Sequence, residues 1–143
     1  MPRSTFYSAT DYGTVIKLTS GATLPELDII LRDSNIGVGG ALPDPYDPTT
    51  WAPLDLSDVD IVHLNFRKKG ATTSVAIPCS IVTPFADGHI IMRWREADLA
   101  GSSGDYEGEI EVTYNPTLHD DGTTFSDIAN VYDILKFDVR EGF

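Results

Sequence analysis

Glu107, Glu109 and Glu111 place three carboxylates at alternate positions of one short segment. In an extended chain, neighbours on such a row stand ~6.8 Å apart, at ~3.4 Å per residue. Carboxyl pairs at roughly that separation serve inverting glycosidases, but one member must then sit in an apolar cleft that raises its pKa. These glutamates instead alternate with Tyr106, Ile110, Val112 and Tyr114. The pattern predicts a solvated strand face backed by an apolar one, with Lys136 and Arg140 of the last strand as pairing partners at ~0.2–1 kcal/mol each.

The other chemistry-bearing residues are scattered. His63 and His89 fall on polar strand parities, and His119 lies in Leu118-His119-Asp120-Asp121-Gly122, which lacks the alternating acids of a calcium loop. Cys79 shares parity with Val75, Ile77 and Ile81, so it reads as a small buried hydrophobe. Nucleophile-elbow, phosphate-loop and dinucleotide motifs are absent. The expectation is a protein that is not an enzyme, with no catalytic residue, cofactor or metal. The candidate contact residues are aromatics outside the strands: Tyr46 and Trp51, with Phe6, Tyr7 and Tyr12 near the start.

The elements that must hold these residues are strands. Segment 104–114 has the clearest period of two, with β-branched and aromatic residues on one side. Similar patterns cover 14–18, 27–33 (opened by Leu24-Pro25), 62–67, 75–81, 90–94 and 135–140. Pro78 breaks the ladder of its strand and predicts an edge position or a bulge. About seven short strands separated by turns predict an all-β domain, an antiparallel sandwich or barrel. Its core is expected to hold Leu31, Leu64, Phe66, Trp94, Tyr106, Ile110 and Val112. Residues 126–132 are expected to hold one helical turn at most. Residues 1–13 read as an N-terminal arm or irregular lead-in. Residues 34–53 contain four prolines and three glycines, which preclude a regular element. That long loop is either a contact surface or an excursion whose Trp51 caps the core.

A chain of 143 residues suits one domain, here 1–143. Its formal charge of -12 disfavours nucleic acid and anionic membranes and leaves solubility or a basic partner. No apolar run approaches the ~20 residues of a membrane span, and none of signal-peptide length follows Met1-Pro2-Arg3-Ser4. A single cysteine precludes an internal disulfide and suits folding in a reducing cytoplasm.

The order of these segments carries a resemblance. Val15-Ile16-Lys17-Leu18 is followed by Gly21 through Leu24-Pro25 to Arg32-Asp33, then Pro53-Leu54-Asp55-Leu56-Ser57 and Val62-His63-Leu64-Asn65-Phe66-Arg67. Gly88-His89-Ile90-Ile91-Met92-Arg93-Trp94 and Gly104-Asp105-Tyr106-Glu107-Gly108 complete it. From residue 14 to 139 the chain resembles the N-terminal domain family of the tailed-bacteriophage baseplate upper protein. The resemblance implies an immunoglobulin-like antiparallel β-sandwich and a structural role in the tail or baseplate. It further implies a virion protein made in the host cytoplasm. Its partners would be other phage structural proteins and copies of itself in a symmetric homo-oligomeric assembly, without nucleic acid or membrane.

Two departures qualify that picture. The 34–53 loop is longer than the turn usual in the family, and the chain stops at Phe143 without the family's long C-terminal arm. A stand-alone adaptor or accessory domain is therefore expected, with a capsid or neck decoration protein as the alternative. A carbohydrate- or ligand-binding sandwich module is the alternative from a different class. It would expose a coplanar row of aromatics, whereas most aromatics here fall on inward parities.

Overall fold

The fold is seen in a computed structural model that describes residues 7–9, 15–23, 26–101, 103–131 and 134–142. The strands, in chain order, are β1 (Tyr7–Ala9), β2 (Ile16–Thr19), β3 (Leu27–Gly37), β4 (Trp51–Pro53), β5 (Val59–Lys68) and β6 (Val75–Ile81). They continue with β7 (His89–Met92), β8 (Gly104–Tyr114), β9 (Thr117–Leu118), β10 (Thr124–Phe125), β11 (Ile128–Asn130) and β12 (Leu135–Arg140). Helical structure among the described residues is limited to four 3-10 turns, Val38–Gly40, Pro48–Thr50, Phe85–Asp87 and Glu96–Leu99. No helix among them is long and apolar enough to cross a membrane.

Ten strands form one curled sheet in the order β1-β3-β7-β6-β5-β8-β12-β2, with β4 also on β3 and β11 also on β8; β9 and β10 make a separate hairpin. The domain is all-β, as the alternating parities require. The seven periodic segments all appear as strands, and the additional ones are only two or three residues long, too short to show a period.

Two expectations are corrected and one holds. The sheet is mixed rather than purely antiparallel, because β2 runs parallel to β12, with Ile16 opposite Phe137 and Thr19 opposite Arg140. Two strands so far apart in sequence need no hairpin, so either direction is open to them. Pro78 takes the expected edge position. β6 pairs β5 through 75–79 and β7 only through Ser80 and Ile81, so Pro78 sits where its second side carries no partner strand among the described residues. The span 126–132 holds strand β11 instead of a helical turn, drawn in by pairing with 111–113 of β8; Tyr132 is outside the described residues. The Leu24-Pro25 opening of the second strand also lies outside them.

The inner face follows the predicted register. Leu31, Leu64, Ile110 and Val112 are inaccessible to solvent, Phe66 and Trp94 nearly so, and Tyr106 packs on them half-buried. Phe66 is the hub of an aromatic group. It stacks on Tyr106 at 4.9 Å and meets Trp94 and Phe137 edge-on at 4.9 and 5.3 Å. These are the favoured aromatic geometries.

One glycine ties the strands to the segment that carries the loop. Gly88 closes the Phe85–Asp87 turn at φ 63°. A Cβ there would stand 2.5 Å from Leu31 O and 2.9 Å from both Leu54 N and Leu54 O. The Leu31 amide donates to Gly88 O, and the Leu54 amide donates to Leu31 O, each at 2.8 Å. No side chain fits where these three backbones meet.

Candidate functional site

The loop after β3 is ordered, which corrects the reading of 34–53 as devoid of regular structure. β3 itself runs on to Gly37, and β4 returns along it with Ala52 opposite Asp33 and Trp51 opposite Gly37. At Gly37 a Cβ would lie 1.7 Å from Ala41 O, so only glycine lets the Val38–Gly40 turn fold back this closely.

Beyond the turn, short polar side chains take the place of a sheet. Asp44 Oδ1 accepts the Tyr46 amide at 2.9 Å. Asp47 caps the Pro48–Thr50 turn, accepting the Thr49 amide at 3.1 Å and Thr49 Oγ1 at 2.7 Å. Thr50 Oγ1 accepts the Asp44 amide at 2.8 Å and donates to Asp47 O at 2.7 Å. Such side-chain-to-backbone bonds are the reason Asp and Thr are favoured in turns.

Trp51 pins the loop to the sheet. It is only 4% exposed, its Nε1 donates to Asp44 O at 2.7 Å, and its own carbonyl accepts Arg32 Nη1 at 2.8 Å. Trp51 is thus no exposed contact residue, which corrects the expectation. Of the two candidate aromatics whose side chains are described, Tyr46 is the one open to contact, at 93% exposure. Tyr7 lies in β1, opposite Asp33, so that part of the N-terminal arm is a strand and not an irregular lead-in. Phe6 and Tyr12 are outside the described residues. Leu42, 94% exposed, was missed, as were the half-exposed Ile36 and Val38. Their signal was apolar side chains with no periodic neighbours to share a face with.

The carboxylate row sits on the outer face of β8 and is half-buried rather than fully solvated. Glu107 stands between Arg67 of β5 and Lys136 of β12, and Arg67 holds it through Nη2 at 2.6 Å and Nε at 2.7 Å. Asn65 Nδ2 donates to Glu111 Oε2 at 3.3 Å. Arg140 does not face this row. β12 ends its pairing with β8 at Val139 opposite Gly104, and Arg140 stands opposite Thr19 of β2. Beside Glu107 and Glu109 lies a shallow recess of about 200 Å³ that also touches Asn65, Thr72 and Ser74.

The remaining titratable groups are spread over the molecule. His63 lies between Pro78 and Glu111 in register, and His89 pairs with Asp28. His119 stacks on Phe125 with ring centroids 3.6 Å apart and faces Asp127 at 3.7 Å. Asp121 accepts Thr123 Oγ1 and the Thr123 amide, and these bonds hold its carboxyl below the ordinary range. Burial pushes the Cys79 thiol up to about 12 against the smaller opposing effect of a Leu64 backbone hydrogen bond. Among the described residues, no three His, Cys, Asp or Glu side chains converge as a metal-holding group.

Fold and site together define an all-β domain that presents exposed apolar side chains on a braced acidic loop. No protein-family model matches the chain, and a search of curated proteins finds no match.

Proposed function

We propose that the chain is a non-enzymatic structural component of a tailed-bacteriophage virion. It works as a tail or baseplate adaptor built on an immunoglobulin-like sandwich, and the 38–50 loop is its assembly surface. The observation that carries this reading is the division of labour in the loop: Trp51 is spent on bracing it, while Leu42 and Tyr46 stand almost wholly in solvent. A rigid scaffold that displays apolar anchors is suited to docking, because little conformational entropy is lost on binding.

The order of strand motifs along residues 14–139 supports the family assignment, and the acidic balance suits a particle exterior better than a DNA-lining surface. Among the described residues, the exposed aromatics Tyr46, Phe85 and Phe125 lie on three separate segments, which favours assembly over carbohydrate binding. The test is incorporation. Particles assembled with a Leu42→Ala/Tyr46→Ala chain should contain far less of it, while the purified variant melts like the parent. Normal incorporation of that variant would place the assembly surface elsewhere.

A further inference from the structure

The charge around the loop bears on what it meets. From Asp33 to Asp60 the chain has six aspartates and no Lys, Arg or His. Leu42 and Tyr46 project from the middle of this anionic stretch, with Asp44 between them and Asp47 beside Tyr46. Asp44 is exposed and Asp47 partly so, and a partner that takes up Leu42 and Tyr46 meets their carboxylates at the same short segment. A carboxylate stripped of water without a cationic partner is costly, so the complementary surface must supply positive charge around whatever receives the apolar side chains.

We infer that the loop docks on a basic protein surface that holds an apolar pocket for Leu42 and Tyr46. This rests on the loop being a contact surface and goes further by naming the chemistry of its partner. Two protruding side chains fill a pocket rather than form one, so the partner is a macromolecule and not a small ligand. A second copy of the chain would bring another formal charge of -12, and nucleic acid or an anionic membrane would repel the loop in the same way.

The inference is tested by panning a displayed library of random dodecapeptides against the immobilised chain, then measuring affinities of the selected peptides. Selected peptides should combine Lys or Arg with Leu, Phe or Trp, and their binding should weaken as salt rises. Leu42→Ala/Tyr46→Ala should weaken them about 30-fold or more. Asp44→Asn/Asp47→Asn keeps the Oδ1 acceptors that brace the loop, yet should weaken binding about tenfold and flatten the salt dependence. Enrichment of neutral or acidic peptides, no enrichment over bare matrix, or binding indifferent to Leu42→Ala/Tyr46→Ala would each overturn it. So would sedimentation showing self-association that Leu42→Ala/Tyr46→Ala abolishes, since the occupant would then be a second copy. Particle membership is read by a separate measurement, so a chain absent from virions that still selects basic peptides leaves this inference standing.

Discussion

Trp51 and Tyr46 are five residues apart in the same loop, and the structure assigns them opposite parts, which a pair of truncations separates. Trp51→Ala removes a side chain that is 4% exposed and takes away the donor to Asp44 O. Truncating a buried aromatic of this size costs about 3–5 kcal/mol. An unfolding entropy of about 2.1 cal/mol/K per residue over the 143 residues gives about 0.3 kcal/mol/K, so Tm should fall by about 10–17 °C. Trp51→Phe keeps most of the buried ring and forfeits one hydrogen bond worth about 0.5–1.5 kcal/mol, a fall of about 2–5 °C. Tyr46→Ala, at a site 93% exposed, should stay within about 0.5 kcal/mol, or about 2 °C. Melting followed by far-ultraviolet circular dichroism measures all three. Equal small shifts for Trp51→Ala and Tyr46→Ala would refute the claim that Trp51 braces the loop.

Gly88→Ala should cost about 2–5 kcal/mol in urea unfolding, from left-handed strain plus disruption of the two hydrogen bonds at the junction. Gly21→Ala, with a similar φ of 76° and nothing within 4 Å of the added Cβ, should cost only the strain, about 1–2 kcal/mol; equal costs would mean the strands do not meet at Gly88. Ile110→Ala, opposite Leu64 in the core, should cost about 2–5 kcal/mol by equilibrium unfolding, and a loss below about 1 kcal/mol would put Ile110 outside the core. The native Cys79 thiol, pushed up to about 12, should react with a thiol reagent at mildly alkaline pH far more slowly than the denatured chain. Its folded pKa is raised, so the unfolded chain loses the proton first. The stabilisation is complete below the ordinary value of 9.0 and declines as pH rises from there through 12, a decline that Cys79→Ala should lessen.

The strands were legible where a period of two ran for four residues or more, because alternation on a sheet directly sets which side chains are buried. β4, β9, β10 and β11 could not be read that way, since each exists by pairing with a neighbour and is too short to alternate. The same limit hid the partner of Glu107. Lys136 was anticipated from the last strand, whereas Arg67, 40 residues away, is there because β5 and β8 pair, which no local pattern in either segment specifies. In the loop, glycine and proline announced that no long element would form. They did not announce that Asp44, Asp47 and Thr50 would organise it, because the network is tied to β3 through Trp51, which donates to Asp44 O and accepts from Arg32, contacts that residue types alone do not specify. Exposure was what separated Tyr46 from Trp51, and it depends on that tertiary contact rather than on residue type.

The proposed role stands or falls on where the chain resides. Mass spectrometry of purified phage particles, repeated on separated heads and tails, measures this directly. The account predicts the chain in intact particles and in the tail fraction, at a stoichiometry set by the symmetry of its site. Presence only in heads would move it to the capsid, and absence from purified particles would contradict the structural role altogether.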